Sequence, residues 1–241
     1  MKTDRTLERK IKPPEGFRRI DVKEGSFAEW LRGLPLKHPC EEVRYRDGSR
    51  KLIQAYHVSI VDLDVLRFQE CADTIIRLQA EYLWSKGRGD DLCYRFTSGD
   101  KCCWTMWKEG WRPRIKNNRV IWEQTGTKDD SRAAFGQYMV KVFEYAGTTS
   151  LLRDLEPIRP GELQPGDVII EMGHCVMVLD MVVNDAGEKR MLLGQGFMPA
   201  QDLHIIKQSV LDSSPWYKAD VKAAFKTIEY SFGKAECRRL R

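Results

Sequence analysis

An α+β fold, with helices placed ahead of an antiparallel β-meander, is predicted by three features of the sequence. The strong helical periodicities fall in the first two thirds of the chain. After "RPGELQPGD" (159–167) the period changes to that of strands. Helices and strands are segregated rather than alternating, which argues against repeated βαβ units. The 241 residues suffice for one sizeable core. We read residues 1–241 as a single domain with a Trp-rich β insert at about 92–126 and a C-terminal β-meander at about 163–206.

The elements follow in order. "IKPPEGFRRI" opens extended, because Pro13 and Pro14 disfavour helix. "GSFAEWLRGL" (25–34) is a short helix with Ser26 as N-cap, an apolar stripe of Phe27, Trp30, Leu31 and Leu34, and Pro35 as its stop. Asp47-Gly48 is a hairpin signal between two potential strands. "RFQECADTIIRLQAEYLWSKG" (67–87) has the best helical pattern: Cys71, Ile75, Leu78 and Tyr82 recur at helical spacing, and Gly87 and Gly89 end it. Asp73, Arg77 and Glu81 fall at i, i+4 and i+8, the spacing of an ion-pair ladder. The insert is aromatic and β-prone, with a hairpin turn at Asn117-Asn118. "SRAAFGQYMVKVFEYAG" (131–147) is a second good helix, capped by Ser131, and a short helix from Ser150 ends near Pro157. "VIIEMG", "HCVMVLDMVV" and "KRMLLGQGF" are strands, the last two joined through "NDAG" (184–187).

Composition narrows the function classes. Apolar residues make up 42% and charged residues 31%, the balance of a globular protein with a water-facing surface. No apolar run is long enough to span a bilayer, and "MKTDRTLERKIK" lacks the apolar core of a signal peptide, so no export signal is expected from this stretch. The net charge of +5 is spread along the chain, and no nucleic-acid-binding signature accompanies it, so no nucleic-acid partner is expected. Seven cysteines without a C-x-x-C, and four histidines not spaced with them, predict neither a zinc site nor any cofactor.

The chemistry-bearing residues converge on the meander. By strand alternation His174, Val176, Val178 and Asp180 share one face, and Met191, Leu193 and Gln195 share a face of the next strand. A hairpin through "NDAG" then puts His174 and Gln195 at one end of the sheet, where the amide can fix the imidazole tautomer. Cys175 points to the opposite face, so the thiol for His174 must come from elsewhere. Cys71 is the only cysteine close to the start of a strong amphipathic helix, where the helix dipole favours a thiolate. Cysteine on a helix, histidine on a strand and an orienting amide on the neighbouring strand form a papain-like arrangement: the thiolate attacks, the imidazole carries the proton and the amide aims the ring. Taken singly, Cys71 reads as a small core residue and His174 as a buried strand histidine.

"QECADTIIRLQAEYLW", "FEYAGTTSL", "PGDVII", "GHCVMVLDMVV", "GQGFMPAQDLHII" and the late "PWY", with "PPEGFRRI" and "SFAEWLRGLPL" near the start, resemble nearly the full length of a bacterial family, domain of unknown function 4846. Its members are common in gut Bacteroidetes and often carry export or lipoprotein signals, which implies a cell-envelope setting. The family has Gln where this chain has Glu70. The order of Cys-helix, "PGD" strand, His-strand and third polar residue is also similar to NlpC-type cysteine peptidases, which cut cell-wall peptides. That resemblance implies Cys71 as nucleophile, His174 as base, Gln195 as orienter and a peptide or peptidoglycan-like substrate. The chain departs from it in having "ECAD" where those enzymes have "DCSG", and in a longer gap between cysteine and histidine.

Further candidates are Gln201, Asp202 and His204, which follow Pro199 in a loop that can line a cleft, and Trp107, whose neighbours Trp104 and Trp111 would stack on sugars or peptides if a cleft exposed them. Loop structure and packing of the insert account for the same residues without a ligand. Three functions remain open: a thiol-dependent hydrolase of amide bonds, a catalytically inactive relative binding glycan or peptide in the same cleft, and a structural interaction protein.

Overall fold

The computed structural model describes residues 4–117, 119–211 and 214–240. Its centre is a nine-stranded sheet in which every pairing is antiparallel. The main path runs His57–Ile60, His204–Ile206, Lys189–Gln195, His174–Asn184, Val168–Glu171, Glu236–Arg239 and Glu156–Ile158. Phe17–Arg19 pairs with the far end of His174–Asn184, and Trp216–Lys218 with Lys189–Gln195. The predicted meander therefore forms the middle of the sheet, and its neighbours come from both ends of the chain. Six α-helices are found among the described residues, and none is long and apolar enough to cross a membrane.

One face of the sheet carries the helices. Phe27–Arg32 starts at Ser26, whose Oγ accepts from Glu29 N at 3.3 Å. Arg132–Tyr145 starts at Ser131 in the same way, with Ala134 N as donor at 3.2 Å. Cys71–Ser85 buries most of its length, including Ile75, Ile76 and Leu78, against Met177 and Leu179 of the central strand. Asp73 is not a rung of an ion-pair ladder. It accepts from Glu70 N at 3.1 Å and closes the first helical turn, while Arg77 pairs with Glu81 at 2.6 Å and with Asp64 at 2.9 Å. A carboxylate in the first turn satisfies an end-of-helix N–H and cannot also extend down the helix face.

The second face carries Ile169, Val176, Val178 and Leu193. It is covered by the C-terminal segment, through Tyr217, Val221, Phe225 and Phe232. No element was expected after residue 206, because strands of two to four residues leave no readable period.

A bulge corrects one alternation. Leu192 pairs with Asp180 but Leu193 with Val178, so Leu179 is extra. Asp180 is thereby turned from the Val178 face toward the helices, where it accepts from Arg19 at 2.6 Å and Arg32 at 2.8 Å.

In the Trp-rich insert, Cys93–Arg95 pairs with Lys101–Cys103, and a disulfide joins Cys93 to Cys103. Trp111–Lys116 and Arg119–Gln124 form the predicted hairpin. Asn117 is left-handed (φ 51°) as that turn requires, and Asn118 lies outside the described residues. Trp104 and Trp107 of the insert join the main core beside Tyr138, Trp122 packs partly buried against it, and Trp111 stays half-buried outside it.

Candidate active site

Cys71 is the first residue of its helix. Two features put the helix start there. Phe68 is left-handed (φ 65°), and Glu70 N donates back to Phe68 O at 2.8 Å, so the chain turns sharply before Cys71. Gly196 then lets the helix end approach the sheet. A Cβ at that position would lie 2.2 Å from Thr74 Oγ1 and 3.1 Å from Glu70 O. Only glycine allows the first helical turn to rest on the end of Lys189–Gln195.

His174 reaches the same place from the sheet. It pairs with Glu171 across the turn at Met172-Gly173, where Gly173 has φ 107°. Its ring is enclosed by Tyr230 at 4.5 Å, Phe197 at 4.8 Å and Phe232 at 5.7 Å between centroids. Tyr230 is held in turn by its hydroxyl, which donates to Glu171 at 2.9 Å. His174 Nε2 lies 3.1 Å from Gln195 Oε1. The same-end placement expected for these two side chains is what the register produces.

Cys71 lies within interaction range of His174, which helps to hold its thiol down. With Nε2 occupied by Gln195, Nδ1 is the nitrogen left for the sulfur. The Cys71 thiol is pulled down to about 4. The largest cause is a hydrogen bond from the Cys175 thiol, followed, against burial, by the hydrogen bond and positive charge of His174 and by Cys175 N–H. Cys175 is pushed well above the ordinary thiol range by burial and by Cys71, so it keeps its proton and donates it. Strand alternation does place Cys175 on the helix face, away from the rings around His174. The helix end nevertheless sits where Cys71 touches both residues. Cys175 is a partner of Cys71 rather than of His174.

Beside Cys71 is an open cavity of about 270 Å³, lined by Phe68, Glu70, Cys71, Asp73, Glu144, Thr148 and Gly173. Cys71 itself is 8% exposed. Burial and the neighbouring Cys71 charge raise Glu70, and burial raises Asp73 well above the carboxylate range. Asp73 Oδ1 is buried without a hydrogen-bond partner.

Behind Gln195 lies a second polar layer. Gln195 Nε2 donates to Glu229 Oε2 at 2.5 Å. His204 Nε2 is 2.9 Å from the same oxygen, and Lys51 Nζ bonds Glu229 Oε1. His204 Nδ1 faces Asp202 O at 2.9 Å, and the Asp202 carboxylate pairs with Lys37 at 2.9 Å. His204 and Asp202 are therefore buried supports of the sheet rather than lining of the Cys71 cavity. Gln201 is buried beside them, with its Nε2 unpartnered. Trp107 is 4% exposed, lies under Arg112 at 4.0 Å, and does not line that cavity either. Sequence reasoning missed Cys175, Gly196, Glu229 and Tyr230. Only Gly196 left a local trace, as the second glycine of "GQG".

The family described as domain of unknown function (4846) matches residues 7–239, and the chain belongs to it. No curated protein and no solved structure matches the chain.

Proposed function

For this member of the family we propose thiol-dependent hydrolysis of an amide bond, with Cys71 as nucleophile, His174 as proton carrier and Gln195 as orienter. The observation that carries the reading is that Cys71 lines a cavity and is coupled behind it to His174, which is hydrogen-bonded in turn to Gln195. Cys71 S⁻ adds to the carbonyl carbon, and the developing oxyanion draws on the N–H groups of Cys71 and Ala72 at the helix start, since Asp73 N–H is taken by the Glu70 carboxylate. His174 gives its Nδ1 proton to the amine as the C–N bond breaks, leaving a thioester on Cys71. A water molecule then adds to the thioester, losing its proton to Nδ1. The acid leaves and the thiolate–imidazolium pair returns.

The order of cysteine helix, "PGD" strand, histidine strand and Gln195 supports a papain-like, NlpC-like site and points to peptides of the bacterial wall as substrate. A peptide-based thiol-reactive probe, such as an acyloxymethyl ketone, tests the chemistry. Labelling at Cys71 should vanish in Cys71→Ala and fall at least tenfold in His174→Ala, and wall peptides should release new amino groups only with the intact pair. Weak labelling indifferent to both substitutions would sink the hydrolase reading. The small exposure of Cys71 favours one alternative, a catalytically silent site that binds peptide or glycan in the same cavity. It predicts wall-peptide binding that survives Cys71→Ala without turnover in either protein.

A further inference from the structure

Gln195 has two faces, an oxygen that only accepts and an NH₂ that only donates, and a rotation of its amide exchanges them. Which face meets His174 decides which imidazole nitrogen carries the proton. An amide oxygen requires Nε2–H and leaves the Nδ1 lone pair for Cys71. An NH₂ would require a bare Nε2, put the neutral ring's proton on Nδ1 and block proton uptake from Cys71.

Glu229 removes the choice. It stands in the turn between the short strands Phe225–Lys226 and Ser231–Phe232, with its side chain buried beneath the sheet edge. A carboxylate only accepts, and Oε2 lies 2.5 Å from Gln195 Nε2. The amide must therefore turn its NH₂ to Glu229 and its oxygen to His174. We propose that Glu229 is a positioning residue which locks the Gln195 amide and, through it, the His174 tautomer that serves Cys71. The role rests on the thiolate–imidazole pair proposed above.

The surroundings keep Glu229 ionised. Burial drives its acidity weaker, but hydrogen bonds and charges from His204 and Lys51 outweigh it and hold the carboxyl down at about 2. His57 and Tyr217 stand beyond them. His204 Nδ1 can only donate to the Asp202 carbonyl, and a proton must also lie between His204 Nε2 and Glu229 Oε2 at 2.9 Å. Nothing in this layer touches the cavity, so Glu229 acts only through Gln195.

The test is the pH dependence of iodoacetamide alkylation at Cys71, followed by peptide mass spectrometry in the full-length protein. Glu229→Gln preserves shape but lets position 229 both donate and accept, so the Gln195 amide is no longer locked. The Cys71 inflection should move upward by at least about one pH unit, a roughly tenfold slower alkylation below it. The exchange E229Q/Q195E returns an obligate acceptor to His174 and should bring the inflection back toward wild type. His174→Ala calibrates the scale, since it should move the inflection as far or further.

An unchanged inflection in Glu229→Gln beside a raised one in His174→Ala overturns the role of Glu229 and leaves the hydrolase reading standing. An unchanged inflection in His174→Ala means the pair is uncoupled, and the hydrolase reading itself fails. Should Glu229→Gln not fold, ¹⁵N NMR of Cys71→Ala, which retains Glu229, decides the matter. The neutral His174 ring must carry its proton on Nε2, and a proton on Nδ1 overturns the proposal.

Discussion

The Trp-rich insert and the C-terminal segment contrast in what they contribute. The insert carries the densest aromatic cluster in the sequence, "WTMWKEGW", and spends it on packing: Trp104 and Trp107 fill the core against Tyr138. The C-terminal segment has no run that stands out. Yet it supplies Tyr230 and Phe232 around His174, and Glu229 behind Gln195. Aromatic density reports apolar area in need of burial. Site membership is a matter of where a chain is carried, and the C-terminal segment is carried across the open face of the sheet to the end where His174 sits.

Substitutions in the two regions should therefore separate stability from chemistry. The largest effect belongs to the insert. Trp107→Ala should lower unfolding free energy in urea by about 3–5 kcal/mol while leaving the pH profile of Cys71 alkylation where it is; a shifted profile would mean that the insert takes part in the site. Next is Gly196→Ala, between the two regions, where the added methyl strikes Thr74 Oγ1. It should cost about 1–3 kcal/mol and also weaken Cys71 reactivity, because the clash is relieved only by lifting the first helical turn off the sheet. Equal reactivity with lower stability would show that the helix end tolerates movement.

Cys175→Ala deletes the largest cause of Cys71 acidity, so the alkylation inflection should rise with only a small loss of stability. The sign of the linkage follows. Cys71 is more acidic folded, at about 4, than its ordinary value of 9.0. Its contribution is complete above pH 9 and disappears as pH falls through 4. The difference in melting temperature between wild type and Cys71→Ser should narrow over that window, and a difference that widens toward acid would reverse the assignment. The smallest effect is expected from Tyr230→Phe, which loses only the bond to Glu171. A cost of about 1 kcal/mol with a near-normal Cys71 profile would mean that the ring, rather than its hydroxyl, holds His174 in place.

Much of the architecture was legible. The capped helices at Ser26 and Ser131, the "NDAG" turn and the central strands carry local signals, and each formed as read. So did the placement of His174 and Gln195 at one sheet end, because alternation and a hairpin turn are enough to derive it. The reading failed where an element's fate depended on something outside it. Asp180 changed face because a bulge altered the parity of a strand that had no sequence mark for one. Asp73 left the ion-pair ladder because the helix began at Cys71, a boundary set by the backbone of Phe68 and Glu70. Trp107 is core rather than a stacking platform, and a tryptophan needed by the core and one offered to a ligand look alike in sequence.

What the sequence determined by itself is the set of periodic elements and the placement of His174 and Gln195 at one end of neighbouring strands. Those follow from repeats of 3.6 and 2 residues and from turn chemistry, which act over a few neighbours. Only the tertiary structure decided that Cys71 would meet His174 and Cys175, that the helix end could settle against Gly196, and that Glu229 would stand behind Gln195. Each of these is a contact between distant segments at hydrogen-bond or van der Waals range, set by how the helices and the C-terminal segment close over opposite faces of one sheet. No local period encodes such a distance, since it is fixed by the packing of the whole core.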